Sequence, residues 1–543
     1  MKVHVLLAVF WAPLAAPQAK PAAAPAEDLC VAPPANARPS LPARLMPGHG
    51  RIQMPITTKS PQAQEFFNQG VALMHSFWGR EAERSFLQAA ELDPEAAMPQ
   101  WGIAMVAAGD YRPTFQLMSG GRRPSRPRGR PAQGGLARAR EAAEMARKRA
   151  AGVTRREQLY IAAVAARRTP DAKDPETAYR QALRALLKEF PGEVEAKSYL
   201  ALALMTGYSR PDKKPGPGTE ESYALLQEIL RADSDHVGAN HYIIHVLEGS
   251  NRPQDAWASA KRYPELAPEN AHARHMPGHI YVQSDRWADA AQAFEQAARL
   301  ERQDLAADQL YPNQHHGHNV HFMTSAYASM GDYDAAMKNS GELLQIRENP
   351  RERKEATNGY TAHRQGWFAR LRTLVYFARW DEILEGSKLP DYPQPRQRAW
   401  RHWARGVAYA HRGDAGSARA ELERMGEQIK AWSKLTSNGL PHLRAARAEL
   451  RAHIQVSSGR TGKGLEALER AARMEERLPY NEPPAYPRPV WEAMGQRALE
   501  TRQWARAEAA FRRALEFNPG SPRAKQGLAV AQSRSGAAVA GGQ

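Results

Sequence analysis

Apolar residues recur every three to four positions along most of the chain, in runs broken by Gly, Pro, Asn or Asp. That is the period of helices with one buried face. Strand-type alternation bounded by hairpin turns is not sustained anywhere, so the expected class is all-α. The helices pair. In FFNQGVALMHSFWGREAERSFLQAAELDP, Gly70 falls where two helices cross closely, Ala82, Phe86 and Ala89 form the packing stripe of the second helix, and Pro94 ends it. The closing unit repeats the pattern at Gly495, Trp504, Ala507, Phe511, Ala514 and Pro519. Between them, clean units start at Val237, Ala271 and about Gly317, with alanine at one shared offset: Ala256, Ala290 and Ala336.

The unit length identifies the architecture. His241 to His275 is 34 residues and His245 to His279 is again 34, the period of a tetratricopeptide repeat, a helix-turn-helix unit. Each unit buries its apolar face only by stacking on the next, so the expected fold is a tetratricopeptide-repeat α-α superhelix, a solenoid with a concave groove. The chain divides into a signal peptide (1–19), a Pro/Ala-rich linker (20–60), an N-terminal repeat region (61–117), an Arg/Gly/Pro loop (118–135), helical repeats (136–208), a loop (209–221), a central His-rich repeat region (222–350), a C-terminal repeat region (351–533) and an unstructured tail (534–543).

The central region holds the candidate chemistry. Ten of the 18 histidines fall within the 86 residues from His236 to His321, in the phrases NHYIIHVLE, HMPGHIY and HNVHF. Numbered from the start of each unit, His241, His275 and His321 share the fifth position. His245 and His279 share the ninth, His272 and His318 the second, and Glu248 is at the twelfth. Those positions lie on one helical face, the face that lines the groove. Imidazoles at i and i+4 present two nitrogens to one ion, and a carboxylate completes many zinc, iron or copper sites. The expected ligands of a divalent transition metal are therefore His241, His245, Glu248, His275, His279, His318 and His321. Seven exceed one tetrahedral site, so two ions, or one ion with supporting histidines, both remain open. HExxH and paired cysteines are absent, which excludes thiolate sites.

Pro277 and Gly278 interrupt the second phrase, at a cost to a helix interior of roughly 3 and 1 kcal/mol. A helix running through Pro277 keeps His275 and His279 on one face; a helix starting there leaves His275 in the approach loop. Outside the central stretch, His75 and His411, both at the thirteenth position of their units, and His363, His402, His442 and His453, which have no partner at ligand spacing, are assigned to packing. GRTGKG lacks the leading glycine and the Ser/Thr of a phosphate loop, and no GxSxG elbow occurs. YNEPPAYPRPVW, before the last repeat, is a rigid connector by composition, with Tyr480 and Glu482 as its candidate groove residues.

Composition changes this picture in two places. The net charge of +17 favours acidic partners, but the one acid-free basic run, residues 119 to 135, has no interleaved aromatics, which argues against nucleic acid. At the start, Lys2, the apolar stretch Val3 to Ala16 and the small residues after it form an export signal, and nothing later is apolar enough to span a bilayer. A periplasmic or extracellular protein is the expectation. Cys30 is the single cysteine, so no intrachain disulfide forms; Asp28 and Leu29 before it argue against lipidation.

With FFNQGVAL, TRREQLYIAA, ANHYIIHVLEGSNRP, HARHMPGHIYVQSDRWADA, HNVHF and YNEPP laid out, the chain resembles a group of exported bacterial tetratricopeptide-repeat proteins from Phe66 to Leu528. The resemblance implies that His241, His245, His275, His279, His318 and His321 are signature residues, and carries no settled activity. Trp78-Gly79 and Pro99-Gln100 depart from the group's pattern, so it transfers no site residue from the first two repeats. Two function classes follow: a metal-binding solenoid whose ion is structural, stored or catalytic, and a non-enzymatic scaffold gripping a partner's peptide segment in the groove.

Overall fold

The computed structural model describes residues 43–113, 134–170, 172–307, 313–348, 357, 359, 361–478 and 483–540. The signal peptide, Cys30, most of the basic loop, and Tyr480 and Glu482 lie outside the described residues. Helices follow one another from Pro61–His75 to Pro522–Ala540, and among the described residues the only β pairing is one bridge, Tyr208 to Pro215. Successive helices pack on each other as antiparallel pairs stacked into a tetratricopeptide-type solenoid. No helix among the described residues is long and apolar enough to cross a membrane. The last helix continues to Ala540, into the stretch expected to be an unstructured tail, because its Ala-rich composition favours helix.

The glycines at the eighth position show why the pairs form. A Cβ on Gly70 would come within 2.5 Å of the Phe86 ring, on Gly495 within 2.6 Å of Phe511, and on Gly278 within 2.3 Å of Phe294. In each unit the first helix offers a bare backbone to a phenylalanine of the second, and all three rings are buried. Gly278 is thus a crossing glycine, and its helix cost is offset by close packing.

The helix Ala271–Gln283 starts with Asn270 capping the Ala273 N–H at 3.2 Å and runs on through Pro277. His275 and His279 therefore share one helix, and the alternative that the helix begins at Pro277 falls away. Pro277 has no N–H for the Ala273 carbonyl, the loss a helix-interior proline always brings.

The solenoid also closes on itself. The loop before the last helix meets the turn between Ala271–Gln283 and Trp287–Ala307, where Trp287 Nε1 donates to the Gly520 carbonyl at 3.1 Å and Lys525 pairs with Asp285. Arg210 reaches Glu475 at 2.9 Å, and Arg523 donates to the Tyr376 carbonyl. These contacts border an open chamber of about 370 Å³ between the central and C-terminal repeats.

Candidate metal centre

Three consecutive first helices, Val237–Leu247, Ala271–Gln283 and Gln314–Ser329, carry the histidine phrases. They group the rings into two triads, His241/His245/His272 and His275/His279/His318, and within each triad one nitrogen per ring lies within 4.8 Å of the others. The triads adjoin: His272 and His275 lie 6.0 Å apart between ring centres, and His245 and His279 lie 6.2 Å apart.

The partners of the Nδ1 atoms define the tautomers. His241 Nδ1 faces the His75 carbonyl at 2.5 Å and must donate, leaving a lone pair on Nε2. His275 Nδ1 lies 2.8 Å from Asn319 Oδ1; the Asn319 amide nitrogen is occupied by the Phe294 carbonyl at 2.8 Å and Glu301 at 3.1 Å, so Oδ1 is the acceptor. Glu248, buried just past the end of its helix, sets its carboxylate 3.0 Å from His245 Nδ1 and 3.4 Å from His279 Nδ1. One carboxylate thus serves a ring of each triad from the Nδ1 side, an orientation that leaves Nε2 for an ion.

The consequence is an unusual contact. His275 Nε2 and His279 Nε2 stand 2.8 Å apart, a separation that an N–H···N hydrogen bond from one ring or a cation shared by both would hold. Two nitrogens bound to one ion at about 2.0–2.1 Å are separated by about 3 to 3.4 Å at near-square to tetrahedral angles, close to what the rings adopt. His241 Nε2 and His272 Nε2 repeat the arrangement at 3.1 Å. His272 Nδ1 lies 2.8 Å from His315 Nε2, and His315 in turn contacts Glu301 through Nδ1.

Burial keeps these rings neutral. Desolvation pushes His241, His272, His275 and His318 well below the usual histidine range, with neighbouring histidines adding to the shift. His245 is lowered mainly by burial, against the opposing pull of Glu248. Burial would raise Glu248, but His245 and His279 hold it down to about 2. An ionised carboxylate beside unprotonated imidazoles is the state a divalent cation needs.

Not every expected ligand joins. His321 points elsewhere: its Nδ1 lies 2.7 Å from Gln365 Oε1, and Arg372 donates to its Nε2 at 3.4 Å. Burial, then Arg372, lowers its pKa to about 3. Glu248 stands behind two rings rather than beside an ion. His272, noted at the second position but left out of the expected set, completes the first triad; its spacing of three from His275 was the available signal. The rings are also covered rather than lining an open groove. Phe77, in the turn after the first helix, holds φ at 53° and lies 4.5 Å from His241, 5.3 Å from His245 and 5.7 Å from His272. Phe322 covers His279 and His318, each at 5.0 Å. The first repeat, with no expected site residue, thus supplies a lid, and a non-glycine residue at positive φ marks local strain there.

A third group, His75, Glu195 and His236, closes on itself. Glu195 accepts from His75 Nε2 at 2.6 Å and faces His236 Nε2 at 3.3 Å, Tyr242 meets His75 Nδ1 at 3.0 Å, and the Ala239 N–H donates to His236 Nδ1 at 2.9 Å. Every ring nitrogen there has a partner, the mark of a structural network.

No family model matches the chain, and no curated protein matches it. Among solved structures it is similar to a tetratricopeptide repeat protein from Parabacteroides merdae at 13% identity, covering 57% of this chain and 90% of that one with a TM-score of 0.30. The TPR domain of P58(IPK) matches at 12% identity over 88% of this chain and 99% of that one, TM-score 0.23. Yeast Tom70 matches at 11% identity over 88% and 89%, TM-score 0.29.

Proposed function

We propose that this chain is an exported tetratricopeptide-repeat solenoid that binds one or two divalent transition-metal ions, zinc, copper or iron, at His241/His245/His272 and His275/His279/His318. The observation that carries the reading is the gathering of one nitrogen from each of three rings within 4.8 Å in both triads, with His275 Nε2 and His279 Nε2 2.8 Å apart. An all-imidazole donor set suits these three metals better than magnesium or calcium, which favour oxygen. His75, through its carbonyl, Asn319 and Glu248 would orient the ligands; Phe77 and Phe322 would exclude water. His321 belongs to the supporting structure in this proposal.

Metal analysis of protein purified without a His tag, after incubation with each metal and removal of the excess, tests the reading. It predicts at least about half an equivalent retained, and loss of that metal in His241→Ala/His275→Ala. Zero retained metal, with wild-type melting unmoved by chelator or by added zinc, copper or iron, would overturn it. Export has its own check: the mature protein's N-terminus should fall after the apolar stretch ending at Ala16.

A second reading, the interaction scaffold, is favoured by the open chamber, whose wall includes Phe322, Tyr376, Tyr486 and Trp491. It predicts that Tyr376→Ala abolishes capture of a partner while metal content stays at zero.

A further inference from the structure

The chamber carries polar groups that its own lining does not satisfy. Its volume of about 370 Å³ suits a small-molecule site, and Trp287, Phe322, Tyr376 and Trp491 give it apolar walls. Three lining residues hold a buried polar atom with no hydrogen-bond partner: Gln283 Nε2, Arg488 Nε and His442 Nδ1. The first two can only donate, and a neutral imidazole can donate from one of its nitrogens. Lys213 also lines the chamber, and its ammonium makes no hydrogen bond or ion pair among the described residues. Arg372 contributes a second cation to the wall, bonded to the carbonyls of Pro484, Tyr486 and Pro487 and to no carboxylate among the described residues.

The lining carboxylates, by contrast, are taken. Glu475 binds Arg210 at 2.9 Å and the Val490 N–H at 3.0 Å. Glu476 accepts from Trp491 Nε1 at 2.7 Å and Arg513 at 3.0 Å, Glu492 accepts from the Ser521 hydroxyl at 2.6 Å, and Glu516 pairs with Arg513. Unpartnered donors, engaged acceptors and aromatic walls define the chemistry of what is missing.

We propose that the chamber binds an amphipathic anion: an acceptor-only head, carboxylate or phosphate, on an apolar body. Arg210, Lys213 and His442 all line the chamber, and the head is assigned to these basic side chains. The aromatic walls receive the body. This site rests on the chamber's own lining; it adjoins the second histidine triad through Phe322 but uses none of the triad residues.

The test is calorimetric titration of the full-length protein, with and without chelator, using octanoate, octyl phosphate and the neutral octanamide, with Trp287 and Trp491 emission as a second signal. Saturable binding of at least one anion is expected, with octanamide at least about tenfold weaker, since one lost charged contact is worth about that factor. The tighter anion identifies the head. Lys213→Gln, in the loop ahead of the helix Thr219–Ala232, should weaken the anions several-fold and leave octanamide unchanged. Octanamide binding as tightly as the anions, no saturation by either anion at millimolar concentration, or anion affinity unchanged in both Lys213→Gln and His442→Gln would overturn the proposal. Anion binding that disappears with chelator would place the head on a metal and overturn it too.

Discussion

Replacing Gly278 by alanine tests fold and site together. The new Cβ would sit 2.3 Å from two atoms of the Phe294 ring, against an ordinary carbon contact of about 3.5–4.0 Å. Phe294 is fully buried and has little room to yield: it lies 5.0 Å from His275 and 5.2 Å from Phe322, and its carbonyl holds Asn319. Overpacking of this kind costs about 1–3 kcal/mol, while exchanging glycine for alanine in a helix returns up to about 1. A net loss of about 1–2 kcal/mol is expected, and the ring should push on His275 and on the Asn319 amide that orients it. Repeat arrays open locally, so the readout is amide exchange of residues 271–307, where protection should fall roughly tenfold per 1.4 kcal/mol. Zinc affinity should fall with it. The control is Gly462→Ala, near the start of the helix Thr461–Glu476, where a Cβ meets nothing within 4 Å; it should be neutral or stabilising by up to about 1 kcal/mol. If Gly278→Ala exchanges like the wild type, the crossing does not explain the glycine.

Three further outcomes are expected. Glu248→Ala, which frees His245 and His279 without removing a ligand, should weaken zinc binding about 10- to 100-fold by titration. His316 has its own pH signature. Burial alone would lower its pKa, but Glu301 and Glu342, 3.2 and 3.1 Å away, raise it to about 9. A raised histidine stabilises fully below its unfolded value of about 6.5 and loses that contribution as pH climbs through 9. His316→Gln should therefore cost up to about 3 kcal/mol at pH 6 and progressively less toward pH 9.5 in denaturant unfolding; a constant deficit would refute the assignment. Thr154→Ala removes the hydroxyl of a capping box with Glu157 and should cost about 1 kcal/mol of local stability by exchange of residues 155–168.

The periodic information in the sequence carried the fold well. The shared offsets of Gly70, Gly278 and Gly495 from Phe86, Phe294 and Phe511 are local in sequence, so the helix pairs could be read directly. For Gly278 the same offset also held the explanation of the interruption, which was legible only as a cost until the ring was seen against it. The site was legible in its register and not in its grouping. Equivalent positions place His321 beside His275, yet Gln365 and Arg372, from the next repeat, turn its ring away. His272 lacks an equivalent in the Val237 unit, where Gly238 holds the second position, yet its Nε2 lies 3.1 Å from His241 Nε2. Glu248 passes the helix end, which sets its carboxylate beside the Nδ1 atoms of His245 and His279. Phe77 and the His75 carbonyl come from more than 160 residues away, through superhelical curvature that no single repeat encodes.

That curvature brings Gly520 back to Trp287 and Lys525 back to Asp285, and the closure has a consequence for how the gene can change. Open repeat arrays gain and lose units readily, because each unit touches only its neighbours. Here the count is constrained. Removing one helix pair between the two ends of the clasp would shift them by roughly 20 Å, twice the usual spacing of packed helices. Drift in this lineage should therefore act through substitutions and loop lengths, with the number of repeats between Trp287 and Gly520 held constant.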